Sequence, residues 1–260
     1  MPHGYAFTAI IFDLDGVITR TAKIHAKAWK IVFDRFLEKK GQEKNCKYKK
    51  FSYENDYLSY VDGKPRCEGT LSFLESRNIR IPEGSPSDTA DMETICGLSN
   101  RKNKVFLKVI QKEGVEVFES TITLIKDLRT SGIRVGVASS SKNCKSILKS
   151  AGIENYFETR VDGVVSEKFG LKGKPEGDIF VKAAENLGAV PGDSVIVEDA
   201  VSGVQAGKNG KFGLVIGVAR GDNASELLEN GADVVLKSFK GVTAQHIDEW
   251  FRQYKGKIKK

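Results

Sequence analysis

The first apolar run of the chain, Ile10-Ile11-Phe12, has almost no polar relief and stops at Asp13 and Asp15, which Gly16 follows. A short unbroken apolar run reads as a strand buried on both faces of a parallel sheet. The period then changes. Over residues 21–37, Ile24, Ala28, Ile31, Val32 and Phe36 recur at three- and four-residue steps, which predicts a helix. Residues 38–50 are too charged for a core and are expected to be loop or helix end. Short amphipathic helices are predicted over 51–61 and 70–77, with a turn at 61–66 where Gly63 and Pro65 break the pattern. A loop over 79–88 and further helical periodicity over 103–113 follow. No strand pattern of any length occurs between 21 and 119, so a helical insert is expected after the first strand.

From residue 121 the texture changes. Helices are predicted over 122–131, 142–151, 177–187, 201–209 and 224–230, and strands over 134–138, 161–165, 194–197, 212–218 and 233–236. Strands alternating with helices at these lengths mean βαβ units and a parallel sheet. The expectation is an α/β fold, a Rossmann-like parallel-sheet core over 1–19 and 120–260 with an α-helical cap over 20–119.

Composition narrows the class. The 260 residues are 40% apolar and 29% charged, as in an ordinary globular chain able to bury a sizeable core. No apolar segment is long enough to suggest a membrane span, and the chain reaches acids too soon for a signal peptide. Four cysteines without a C-x-x-C pair and three histidines are poor material for zinc or a disulfide framework, so reduced thiols and a cytoplasmic location are expected. The net charge of +7 falls in solvated-looking lysine runs, at 38–50 and 255–260, with no aromatic-interleaved basic motif. Nucleic acid is therefore not expected as a partner, while a small anionic substrate suits the field.

The carboxyl ends of the predicted strands carry Asp13 and Asp15, then Ser139, then Glu198 and Asp199, with Lys174 in a loop before a helix. Ligands of open α/β sheets bind beyond those ends. Each group alone has an ordinary reading: an Asp pair or a serine capping a helix, two solvated acids, one more surface lysine. Together they form a metal-and-phosphate inventory. Carboxylates with a backbone carbonyl supply the oxygen ligands of Mg²⁺, and a hydroxyl, a lysine and main-chain N–H groups bind phosphate oxygens.

In this arrangement the chain resembles the haloacid dehalogenase superfamily. Asp13-Leu14-Asp15-Gly16-Val17 is similar to its first motif, Ser139 to its second, Lys174-Pro175 to its third and Glu198-Asp199 to its fourth. The resemblance implies that Asp13 is a nucleophile forming a phosphoaspartate and that Asp15 is the general acid and base. It implies that Lys174 neutralises the transferring group, and that Asp13, Asp15, Glu198 and Asp199 hold Mg²⁺. An aspartate rather than a threonine at position 15 resembles the phosphatase and phosphomutase branches.

The insert is similar to the helical cap of the β-phosphoglucomutase-like subgroup. The resemblance implies a substrate site of Thr21, His25, Trp29, Arg66, Lys102 and Asn103 from the cap, with Ser140, Ser141, Lys142 and Asn143 after the second motif. Taken alone, His25 reads as a partly buried histidine, Trp29 as cap core, and Arg66 and Lys102 as solvated charges. Glu119-Ser120 stands where the family usually has Pro-Gly. The implied activity is interconversion of β-glucose 1-phosphate and glucose 6-phosphate through the 1,6-bisphosphate, or, as the alternative, hydrolysis by a sugar-phosphate phosphatase on the same fold. The expected state is a monomer acting on a phosphorylated sugar.

Overall fold

The apolar run forms β1 (Ala9–Phe12), all four of its residues buried, in a computed structural model that describes residues 4–61 and 64–255. The chain divides into two units, Met1–Thr21 with Val115–Lys260, and Ala22–Gly114. These borders differ from the expected 19/20 and 119/120 because both linkers pair with each other. Thr19 bridges Val117, Arg20 N donates to Glu116 O, and Phe118 N donates to Ile18 O. Gly63, expected to break the chain, and the lysine tail beyond Lys255 lie outside the described residues.

In the insert unit, α1 (Ala22–Lys44) runs on through the charged stretch expected to be loop or helix end. Its last turns are solvated and paired, with Lys40 on Glu43 and Lys39 on Glu93, each at 2.7 Å. A π-helical stretch, Tyr53–Val61, follows, in which Tyr57 N donates to Ser52 O. Then come α2 (Arg66–Glu75) and α3 (Ile95–Glu113), both starting before the expected positions. Thr94 sets the start of α3, its side chain accepting from Gly97 N at 2.9 Å. The helices close on an aromatic core in which the Phe33 ring lies 4.1 Å from Phe73, 4.8 Å from Trp29 and 5.2 Å from Phe51. No strand occurs among the described residues of this unit.

In the core unit the elements are α4 (Glu119–Thr130), β2 (Arg134–Ala138), α5 (Cys144–Ser150), β3 (Thr159–Val161), α6 (Gly163–Phe169), α7 (Asp178–Asn186), β4 (Ser194–Glu198), α8 (Val201–Asn209), β5 (Leu214–Val218), α9 (Ala224–Glu229), β6 (Val234–Leu236) and α10 (Ala244–Lys255). The six strands pair in parallel in the order β3-β2-β1-β4-β5-β6. Residues 161–165 are not the strand expected. β3 ends at Val161, and the Asp162 carboxylate accepts from Val164 N and Val165 N at 3.0 and 3.1 Å, turning both valines into α6. Helix α10 was not expected at all; its buried Ala244, Ile247 and Phe251 form one stripe, and Phe251 lies 5.7 Å from Phe7. The strand order reverses direction between β1 and β4. The crevice outside their carboxyl ends is the topological switch point where open α/β sheets bind ligands.

Candidate active site

Asp13 follows β1 directly, and its N–H donates to Val197 O of β4, which fixes the acid at the switch point. It is 6% exposed. Its carboxylate meets Lys174 Nζ at 2.5 Å. Burial pushes the Asp13 carboxyl up to about 8; Lys174 opposes that rise, and Glu198 and Asp15 add to it. Gly16 then turns the chain with φ +80°, and a Cβ there would sit 1.8 Å from Asp199 Oδ2, so only glycine lets that acid approach. The loop closes on itself: Gly16 N donates to Thr19 O, and Ile18 N and Thr19 N donate to Leu14 O.

Asp15 accepts a hydrogen bond from Thr21 Oγ1. Thr21, expected at the substrate, is fully buried and commits its hydroxyl to Asp15 and Thr19. That hydroxyl supports the acid.

At the end of β4, both oxygens of Glu198 are occupied. Oε1 accepts from Lys174 Nζ, and Oε2 accepts from the N–H groups of Asp199 and Ala200 at 2.7 and 2.8 Å. The ordinary reading of Glu198 as a solvated acid therefore fails, since it is 1% exposed. Gly203 is needed for it, since a Cβ there would lie 1.9 Å from Glu198 Cδ. Burial resists charge on Lys174, but Asp13 and Glu198 outweigh it and the ammonium is held charged. Asp199 is raised well above the carboxylate range by burial first, then by Glu198 and Asp13.

Ser139, 2% exposed, directly follows β2; its hydroxyl accepts from Ser141 N at 3.1 Å, and Ser141 Oγ accepts from Asn143 N at 3.1 Å. These bonds shape a tight loop at the switch point. Ser140 is exposed on it. Lys142 pairs with Glu167 at 2.9 Å on the surface.

The insert unit gathers a group of its own. His25 stacks on Phe106 with centroids 4.3 Å apart, and Lys102 Nζ lies 2.6 Å from its Nδ1. Burial, then the charges of Lys102 and Arg66, hold His25 well below its usual range, so the neutral ring accepts from the ammonium. Lys102 is buried on α3, 5.0 Å over the Trp29 ring. Arg66 and Asn103 are half-buried. Trp29, expected to touch substrate, is 3% exposed and packed on Phe33, so it is core of this unit.

Sequence reasoning missed Arg220. Its Nε donates to Gly16 O, and its guanidinium lies 3.6 Å over the Phe118 ring, with Arg20 also 4.2 Å from that ring. It braces the loop that carries Asp15. Only its position just past β5, another strand end, could have marked it.

Among the described residues no three acid, histidine or cysteine side chains converge on one point, and Lys174 stands between Asp13 and Glu198. The donor set nevertheless fits Mg²⁺. It is all oxygen, and Asp13 and Asp199, raised by burial first and by neighbouring acids after it, have a single lysine to offset their charge.

The haloacid dehalogenase-like hydrolase family matches residues 7–211. A β-phosphoglucomutase of Mycobacterium bovis is 42% identical over 231 residues, 88% of each chain. One of Bacillus subtilis is 32% identical over 249 residues, 95% of this chain and 96% of its own. Among solved structures, a β-phosphoglucomutase of Clostridium difficile superposes with a TM-score of 0.71 at 25% identity, covering 95% of this chain and 98% of its own.

Proposed function

The chain belongs to the haloacid dehalogenase-like hydrolase family, and from that membership we propose that it is a Mg²⁺-dependent β-phosphoglucomutase, converting β-glucose 1-phosphate to glucose 6-phosphate through the 1,6-bisphosphate. The observation that carries the reading is that two acids two residues apart at the switch point have different partners. Asp13 faces the ammonium of Lys174, and Asp15 is held by the hydroxyl of Thr21.

That difference divides the work. Asp13 attacks phosphorus and becomes the phosphoaspartate, with Lys174 neutralising charge on the transferring group. Asp15, oriented by Thr21, hands a proton to the leaving sugar oxygen and takes one from the hydroxyl that later attacks the phosphoaspartate. Ser139 and the N–H groups of its loop are suited to the non-bridging oxygens. Asp13 and Asp199, whose carboxylates are the less committed, and the main chain at Asp15 would hold the metal. Glu198 would hold Lys174 and the turn after β4. Bound Mg²⁺ would supply the positive charge that keeps Asp13 ionised beside an anionic substrate. Arg66, His25 and Lys102 are proposed as the insert unit's share in recognising the phosphorylated sugar.

The test is ³¹P NMR of the protein with Mg²⁺ and β-glucose 1-phosphate, primed with the 1,6-bisphosphate. Glucose 6-phosphate is the expected product. Free phosphate in its place would make the chain a sugar-phosphate phosphatase working through the same Asp13, and no turnover of either kind would overturn both readings.

A further inference from the structure

Two of the four cysteines meet inside the insert unit. Cys67 is in the first turn of α2 and Cys96 in the first turn of α3, and their sulfurs are 3.6 Å apart. Both are thiols. Cys96 is 5% exposed, whereas Cys67 is half-buried and reachable from solvent. A disulfide needs the sulfurs at about 2.05 Å, so bonding asks for an approach of about 1.5 Å between two side chains already in contact. The other cysteines lack such a neighbour: Cys46 is exposed and Cys144 is buried in the core unit.

The surroundings connect this pair to recognition. Arg66 directly precedes Cys67, and its carbonyl accepts from Thr70 Oγ1 at 3.1 Å and from Ser99 Oγ at 3.3 Å. Those two hydroxyls are themselves 2.7 Å apart. A hydrogen-bonded seam between α2 and α3 therefore runs beside the sulfurs and ends on the backbone of Arg66. Lys102 lies further along the same α3.

We propose that Cys67 and Cys96 are a peroxide-sensitive modification site whose oxidation to a disulfide displaces Arg66 and weakens binding of the sugar phosphate, a consequence that rests on the function proposed above. The Cys67 sulfur attacks a peroxide oxygen, the O–O bond breaks, and sulfenic acid and water form. The Cys96 sulfur then attacks the Cys67 sulfur; the S–S bond forms, the S–O bond breaks, and the leaving hydroxide takes the Cys96 proton as a second water. Two thiols and one hydrogen peroxide thus give one disulfide and two waters. Burial, first, and the neighbouring Cys67 push the Cys96 thiol up to about 11, which leaves the opening attack to Cys67.

The test treats the full chain with hydrogen peroxide, blocks residual thiols, and maps tryptic peptides without reduction. The expected product is the segment 67–77 joined to 81–101, with a loss of about 2 Da that dithiothreitol reverses. KM for β-glucose 1-phosphate should rise by about fivefold, also reversibly, while phosphoryl transfer from acetyl phosphate to Asp13 holds. Cys67→Ser and Cys96→Ser should each abolish the linked peptide and the KM change. Absence of the linked peptide while Cys46 is oxidised would overturn the site. A linked peptide with unchanged KM would overturn its link to Arg66. Because the peptide is read by mass, a failure of the sugar-phosphate assay itself would count against the proposed function and leave the thiol pair standing.

Discussion

Asp13 has to be buried beside other acids and yet ionised. Its carboxyl is pushed up to about 8 by burial, with Glu198 and Asp15 adding to the rise, so in metal-free protein its charge costs stability above the unfolded carboxylate range. Asp13→Asn should therefore lower turnover by about a thousandfold or more, because an amide is a poor nucleophile, while raising the metal-free melting temperature. The NMR assay and a thermal melt in chelator measure the two halves. His25 has the opposite sign. Its folded pKa lies well below its usual value, so the unfolded chain takes up the proton first; stability is complete above about pH 6.5 and is lost as the pH falls below it, by at most about 1.4 kcal/mol per unit. Urea midpoints at neutral and mildly acid pH should show that slope, and His25→Gln should flatten it. At this scale the acids were legible because each ends an apolar run. Exposure was not: the resemblance carried over the identities of Thr21 and Trp29 but not the burial that turns one into a brace and the other into core.

Among the elements, the legible ones are those whose pattern is undiluted. Strands β1 and β2 run unbroken through buried apolar residues and end where expected, and β4 ends one residue later. Helix α10 was missed because its three buried apolar positions lie among charged and polar neighbours, and the start of α3 because Gly97 looks like a breaker. There a Cβ would fall 2.3 Å from Met92 O, so the glycine serves a tight entry into the helix. Since Thr94 alone caps that entry by side chain, Thr94→Ala should cost about 1 kcal/mol in denaturant unfolding. The loss should be felt at Lys102, which rides on the same helix, as a higher KM for the sugar phosphate. Arg220 was illegible for another reason: it is tied to Gly16 and Phe118 across long stretches of chain, and no local pattern encodes such a stack.

For the molecule as a whole, the two linkers act as one ribbon. Thr19 and Val117 are bridged antiparallel, with Arg20 N on Glu116 O and Phe118 N on Ile18 O, so the chain leaves the core and re-enters it at adjacent points. To the folding core, all of 22–114 is the tip of a hairpin. Closing a flexible loop grows dearer only logarithmically, about 0.6 kcal/mol per doubling of length, so pairing of β1 with β2 hardly depends on what hangs between them. Replacing 22–114 with a loop of about four residues should leave a core that unfolds cooperatively and still labels Asp13 from acetyl phosphate. Loss of cooperative unfolding would show that the core leans on the insert. The ribbon is thus a socket: what is plugged into it can be changed without refashioning the strand ends that carry Asp13 and Glu198.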